Sequence, residues 1–311
     1  MGAAIPRARQ VPCRQSPFTF GHAVGERVRA PEAARRVATR TRYLSVRPGP
    51  TRPAKISSIG MVMREDAIVE VAAGIHLVHG SNTNWVILSE GDAVTLIDTG
   101  YPGDRPDVLA SLDALGHSPE AISAVLITHA HNDHLGSAEY LSSTYGVPVH
   151  LHEEEVAHAR REFLQQVSVG EVMRQAWRPG VLPWAVHAIR SGGKADVRMT
   201  RPEPFPGQGA LDLPGGPVPV HTPGHTAGHC VYHLPDAGIV ISGDALVSGH
   251  PTSRVQGPQL LPDMFHAERA NALASLKLIE ALPADVLLPG HGPVHRGSVS
   301  EAAQRAQALA N

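Results

Sequence analysis

The stretch THAHNDHLG, Thr128–Gly136, places His129, His131, Asp133 and His134 within six residues. It follows directly on the apolar run Ala124–Ile127, which reads as a buried strand. Four potential ligands on a strand-to-helix turn can converge on one point. A continuous helix would spread them around its circumference. Imidazole and carboxylate together suit zinc and its first-row neighbours. A lone histidine is usually a packing residue, but four ligand-type side chains this close together at a strand end point to a metal centre.

Outward from this stretch, three later patches have the same character. His225 lies in TPGHTAGH, Asp244 in ISGDAL and His291 in LLPGHG. Each is a ligand-type residue on a turn after an apolar run, where a sheet scaffold presents function. Upstream, Ile68–Val71, Ile75–His79, Trp85–Ser89 and Val94–Asp98 read as successive antiparallel strands. A helix is expected from Asp104 to Leu115, another over Gly136–Tyr145, and a strand at Val147–Leu151. Strands resume at Val218–His221, Cys230–His233, Ile239–Ser242 and Asp285–Leu288, with helices at Ala267–Leu282 and Val299–Ala310. Two halves of strands broken by helices imply two sheets with helices outside them. Residues 153–205, with a helical stretch near 154–175, read as an insert over the site. Its Trp177 and Trp184 are candidates for an apolar substrate wall.

Composition narrows the function classes. Of the 311 residues, 42% are apolar and 18% charged, as in a soluble globular protein. No run reaches the roughly 18 apolar residues of a membrane helix. Two cysteines, Cys13 and Cys230, exclude a disulfide framework or a cysteine-rich zinc site. Residues 1–60 carry a net charge of +10 and the rest −12. The first stretch reads as a solvated Arg/Pro-rich tail, or as sequence upstream of a start at Met61 or Met63. The domain then spans 61–311. With no apolar signal core in the tail, the expected location is cytoplasmic. The acidic body argues against a nucleic-acid partner and leaves a small-molecule substrate. Of the other histidines, His150, His152 and His158 read as solvated, and His229 and His233 as packing or surface residues.

The order H-x-H-x-D-H, then His, Asp and His, resembles the metallo-β-lactamase superfamily over roughly residues 66–295. That resemblance implies a four-layer αββα sandwich of α/β class, with two divalent metal ions at one edge. Zinc is expected, with manganese or iron as alternatives. It implies that His129, His131 and His225 hold the first ion. Asp133, His134 and His291 would hold the second, and Asp244 would bridge both. Asp98, in LIDTG, would orient a histidine ligand; a turn-capping role is the other reading of that residue. Two such ions about 3.5–4 Å apart share a water and deprotonate it near neutral pH. The expected activity is hydrolysis of an ester, thioester, lactone or amide, with Asp133 also able to relay a proton. Persulfide dioxygenases are similar but use one iron held by two histidines and a carboxylate. A nuclease and a ligand-depleted binding module are weaker readings, because all seven ligand positions are filled.

Overall fold

The computed structural model describes residues 66–310, so the readings of the 1–60 tail and of Cys13 fall outside the described residues. Seven strands make the first sheet, in chain order: β1 (Ile68–Ala72), β2 (Ile75–His79), β3 (Asn84–Glu90), β4 (Ala93–Ile97), β5 (Ile122–Leu126), β6 (Val149–Leu151) and β7 (Pro202–Pro204). The pairings from β1 to β4 are antiparallel, and those from β4 to β7 are parallel. The second sheet holds β8 (Val218–His221), β9 (Cys230–Leu234), β10 (Ile239–Gly243), β11 (Val286–Pro289) and β12 (His295–Arg296) in spatial order 12-11-10-9-8. The helices are α1 (Arg105–Ala114), α2 (Asn132–Leu135), α3 (Ala138–Tyr145), α4 (Glu153–Ala159), α5 (Val169–Arg174), α6 (Val181–Arg190), α7 (Arg269–Glu280) and α8 (Val299–Ala310).

Strand alternation sorts the side chains into three cores. On β3, Trp85 and Ile87 pack into an outer core with Val108 and Leu112 of α1 and Leu141 of α3. Their neighbours Val86 and Leu88 pack into a second core between the sheets, with Tyr232, Ile241 and Leu288. The intervening Val240 and Leu287 face a third core with Leu276 and Ile279 of α7 and Ala303 of α8. Helix layer, sheet, sheet, helix layer is the αββα sandwich.

The local chemistry places several breaks. The single helical stretch expected near 154–175 is corrected to two helices. Arg161 takes a left-handed φ of 57° after α4. Ser168 then restarts the chain as a helix through a capping box with Glu171. The helix α6 follows Pro179-Gly180, with Gly180 at φ 85° as its cap. It was not foreseen, and neither were the short edge strands β7 and β12. Two or three residues carry too little alternation to register as a strand.

Candidate metal centre

Strand direction brings the ligands to one edge. The parallel strands β4 and β5 end together, and the loop after β5 carries His129, His131, Asp133 and His134. In the second sheet β10 and β11 are parallel, and β8 shares their direction because it is antiparallel to β9, itself antiparallel to β10. The loops bearing His225, Asp244 and His291 therefore leave the same edge. Backbone bonds fasten the two sheets there: Cys230 N–H donates to Thr128 O (2.9 Å), and Asn84 N–H to Gly290 O (2.8 Å).

Three imidazole nitrogens form a tight triangle. His129 Nε2 lies 3.0 Å from His131 Nδ1 and 3.1 Å from His225 Nε2, and the latter two are 3.0 Å apart. Beside it, Asp244 has its oxygens 3.4 Å from His225 Nε2, 3.4 Å from His134 Nε2 and 3.3 Å from His291 Nε2. Asp133 Oδ2 lies 3.6 Å from His291 Nε2 and 3.9 Å from His134 Nε2. All these side chains are buried except Asp133, which is 17% exposed.

The outward hydrogen bonds assign the tautomers. His131 Nε2 donates to the Gln165 carbonyl (2.5 Å), and His291 Nδ1 to that of Asn82 (2.5 Å). His134 Nδ1 donates to Asp98 Oδ2 (2.8 Å). Thr128 Oγ1 donates to Asp98 Oδ2 (2.8 Å) and accepts from His129 Nδ1 (3.0 Å). Four of the five histidines thus turn a lone pair inward. The lone pairs of His129 and His131, 3.0 Å apart, repel unless a cation lies between them, and zinc–nitrogen bonds are about 2.0–2.1 Å. His134 Nε2 and Asp244 Oδ1, both buried, have no hydrogen-bond partner. Orphaned atoms of that kind need an explanation, and a metal ion supplies one. The donor set fits bound metal.

Charge divides along the same line. Burial, with the neighbouring histidines, pushes His129 well down, and His131 is lowered to about 4. Burial also lowers His225. Burial opposes charge on His134 and His291 too, but Asp244 and the other nearby carboxylates outweigh it and raise both. The carboxyl of Asp244 is buried, which disfavours its charge, yet His291 and His134 hold it well below the usual carboxylate range.

Asp98 adopts φ 60° immediately after β4 and accepts from Thr128 N (2.8 Å), Thr128 Oγ1 and His134 Nδ1. It both caps the turn and orients a candidate ligand. Of the two tryptophans expected to wall the site, Trp184 lines the cavity in front of the ligands and Trp177 does not. Trp177 is 80% exposed and lines a neighbouring depression.

Several residues went unnoticed in the sequence. Tyr101 is buried on the cavity wall beside Asp133, and burial and that carboxylate raise its hydroxyl pKa. Its signal was its place just past the Asp98 turn. Glu155 is fully buried and joins both ligand loops: Oε1 accepts from Ala130 N (2.8 Å) and His158 Nδ1 (2.7 Å), Oε2 from Thr226 Oγ1 (2.9 Å) and Gly228 N (3.0 Å). The expectation that His158 is solvated is therefore corrected. His229 is buried as well, donating Nδ1–H to Thr222 Oγ1 (2.9 Å) and accepting from Asp244 N–H (3.1 Å). His152, Glu154 and His221 form another ligand-type group, but the two rings stack 3.9 Å apart at 12°, so their in-plane lone pairs run parallel instead of converging.

The sequence matches the profile described as the metallo-beta-lactamase superfamily over residues 79–291. It is similar to "Probable metallo-hydrolase YflN" of Bacillus subtilis, at 24% identity over 74% of this chain and 88% of that one. The protein named YqgX, also called a probable metallo-hydrolase of B. subtilis, is 29% identical over 68% and 85%. A hydroxyacylglutathione hydrolase of Fuscovulum blasticum is 25% identical over 60% of this chain and 55% of its own length. Among solved structures, a metallo-beta-lactamase family protein from Thermus thermophilus superposes with a TM-score of 0.57 at 24% identity, covering 78% of this chain and 80% of that one. That likeness speaks for the fold alone. With the profile spanning the ligand loops from His79 to His291, this chain belongs to the metallo-β-lactamase superfamily.

Proposed function

We propose that the chain is a metal-dependent hydrolase that binds two divalent ions, zinc foremost, and cleaves an ester, thioester, lactone or amide of small-molecule size. The observation that carries this is the inward convergence of lone pairs from His129, His131, His134 and His291 around the carboxylates of Asp133 and Asp244. When bound, such ions supply Lewis acidity, making hydroxide available near neutral pH and polarising the substrate carbonyl.

The chain's own groups divide the remaining work. Asp244 stays ionised and its charge offsets that of the cations. Asp133, on the cavity side and partly exposed, takes the proton released as water adds and returns it to the leaving group. Tyr101 keeps its proton and offers an O–H donor to an oxyanion beside Asp133. The low basicity of His131 leaves it neutral at pH 7, so little proton release accompanies ligation there. The similarity to a protein named hydroxyacylglutathione hydrolase puts thioesters first in a substrate panel.

The test is metal content by mass spectrometry on protein purified without added metal, followed by ester, thioester, lactone and amide assays with an Asp244→Ala control. Two zinc or manganese ions per chain, with turnover lost in the variant, are expected. One iron per chain, or turnover indifferent to Asp244→Ala, overturns the proposal.

A further inference from the structure

The cavity before the ligands extends well beyond them. It encloses about 860 Å3, within the range of small-molecule sites. Tyr101, Asp133, Asp244 and His291 line it at the metal centre. Next to His291 stands an aromatic group: the His250 ring lies 4.9 Å from that of His291 and 5.2 Å from Phe265, whose ring is 5.1 Å from Trp184.

An apolar part of the remaining wall comes from α5, α6 and the chain before them, through Leu164, Val169, Val172, Met173 and Ile189, while Arg161, Lys194, Asp196 and Arg198 bring charge to the cavity as well. Eight of the ten large apolar side chains exposed among the described residues fall between Phe163 and Ile189. Four of the eight, Leu164, Val169, Met173 and Ile189, face this cavity. Exposed apolar surface on that scale marks a binding groove or interface. Here it adjoins the ligand cluster and is tied to it. Asn132 Nδ2, inside the ligand motif, donates to the carbonyls of Gly193 and Ala195 just after α6 (3.0 Å each).

We infer that this wall is an acyl subsite, and that the substrate carries an extended apolar acyl group running from the metal centre along α5 and α6. The inference rests on the hydrolase reading. Water adds to the acyl carbon, the bond to the leaving oxygen, sulfur or nitrogen breaks, and the leaving group takes the proton. The products are an apolar carboxylic acid and an alcohol, thiol or amine, with no change of oxidation state.

The probes are decanoate and butyrate, product-like acids, titrated calorimetrically into the full-length, metal-loaded protein. Each buried methylene tightens binding about fourfold, so decanoate should bind at least about 30-fold tighter than butyrate. In Met173→Asp and Ile189→Asp, at positions 61% and 52% exposed, that advantage should fall below about fivefold with metal content unchanged. Equal affinities for the two acids overturn the inference, and so does an advantage that survives both substitutions. Turnover of p-nitrophenyl acetate and octanoate separates the two readings. Metal-dependent hydrolysis indifferent to chain length removes the acyl subsite alone. Chain-dependent binding without hydrolysis of any panel substrate upholds the subsite and removes the hydrolase.

Discussion

At His134, one carboxylate does two jobs. Asp98 Oδ2 holds Nδ1–H, which fixes the ring and turns Nε2 toward Asp244 and Asp133. Asp98→Ala should therefore weaken metal binding about 10–100-fold, read by chelator competition. Gly290 is set by close approach: a Cβ there would sit 2.5 Å from Asp244 Oδ1 and 2.8 Å from His134 Cε1. Gly290→Ala should lower metal content below two per chain while the circular dichroism spectrum stays that of the parent. The buried histidines also set a pH response for the metal-free protein. His229 and His250 are held to about 3 by burial, against 6.5 when unfolded. The unfolded chain then binds more protons below pH 6.5, so stability falls as pH drops from about 6.5 toward 3. The raised His134 and His291 contribute fully below pH 6.5 and do not cancel that fall. Urea midpoints between about pH 7 and 4 that stay constant would contradict this account. At this scale the sequence was most legible, because ligand identity is carried by residue type and spacing. Glu155 was not legible, since its partners in the two ligand loops are 25 and 71–73 residues away.

The element that matters most to the site beyond its ligands is α4. It begins right after β6 and drops Glu155 between the loop of His129 and His131 and the loop of His225. His158, one turn on, donates to the same carboxylate and accepts weakly from Gln165 N–H (3.4 Å); the Gln165 carbonyl holds His131. Glu155→Ala leaves His158, Thr226 and two loop amides without their acceptor. The expected cost is about 3–5 kcal/mol, seen as a lower melting temperature together with metal loss. Burial disfavours the Glu155 charge, but His158 and the loop donors lower its pKa below the usual value. Its contribution is thus present above pH 4.5 and lost as pH falls through the depressed value. Helices α5 and α6 were less legible than the strands. At six residues α5 is too short to repeat the helical period, and Pro183 within the apolar run of α6 reads as a break.

At the scale of the molecule, the described residues 66–310 hold three hydrophobic cores and all seven candidate ligands. A chain expressed from Met61 should keep the melting temperature and metal content of the full chain; loss of either in side-by-side calorimetry and metal analysis would show that residues 1–60 contribute. By itself, the sequence determined most of the strand and helix order and, through its resemblance to a known family, pointed to the αββα class and the candidate ligands, because alternation, turn residues and the H-x-H-x-D-H spacing are local properties of the chain. The tertiary structure alone decided the rest. The common direction of β8, β10 and β11, with the backbone bonds that tie their edge to the loop after β5 and to β3, closes distant loops onto one point. Closeness to the carboxylates, set against a burial all of them share, splits the histidines into lowered and raised groups, and Glu155 clamps two ligand loops together. These depend on through-space distance, dielectric environment and hydrogen-bond partners far apart in the chain, none of which is encoded in a run of neighbouring residues.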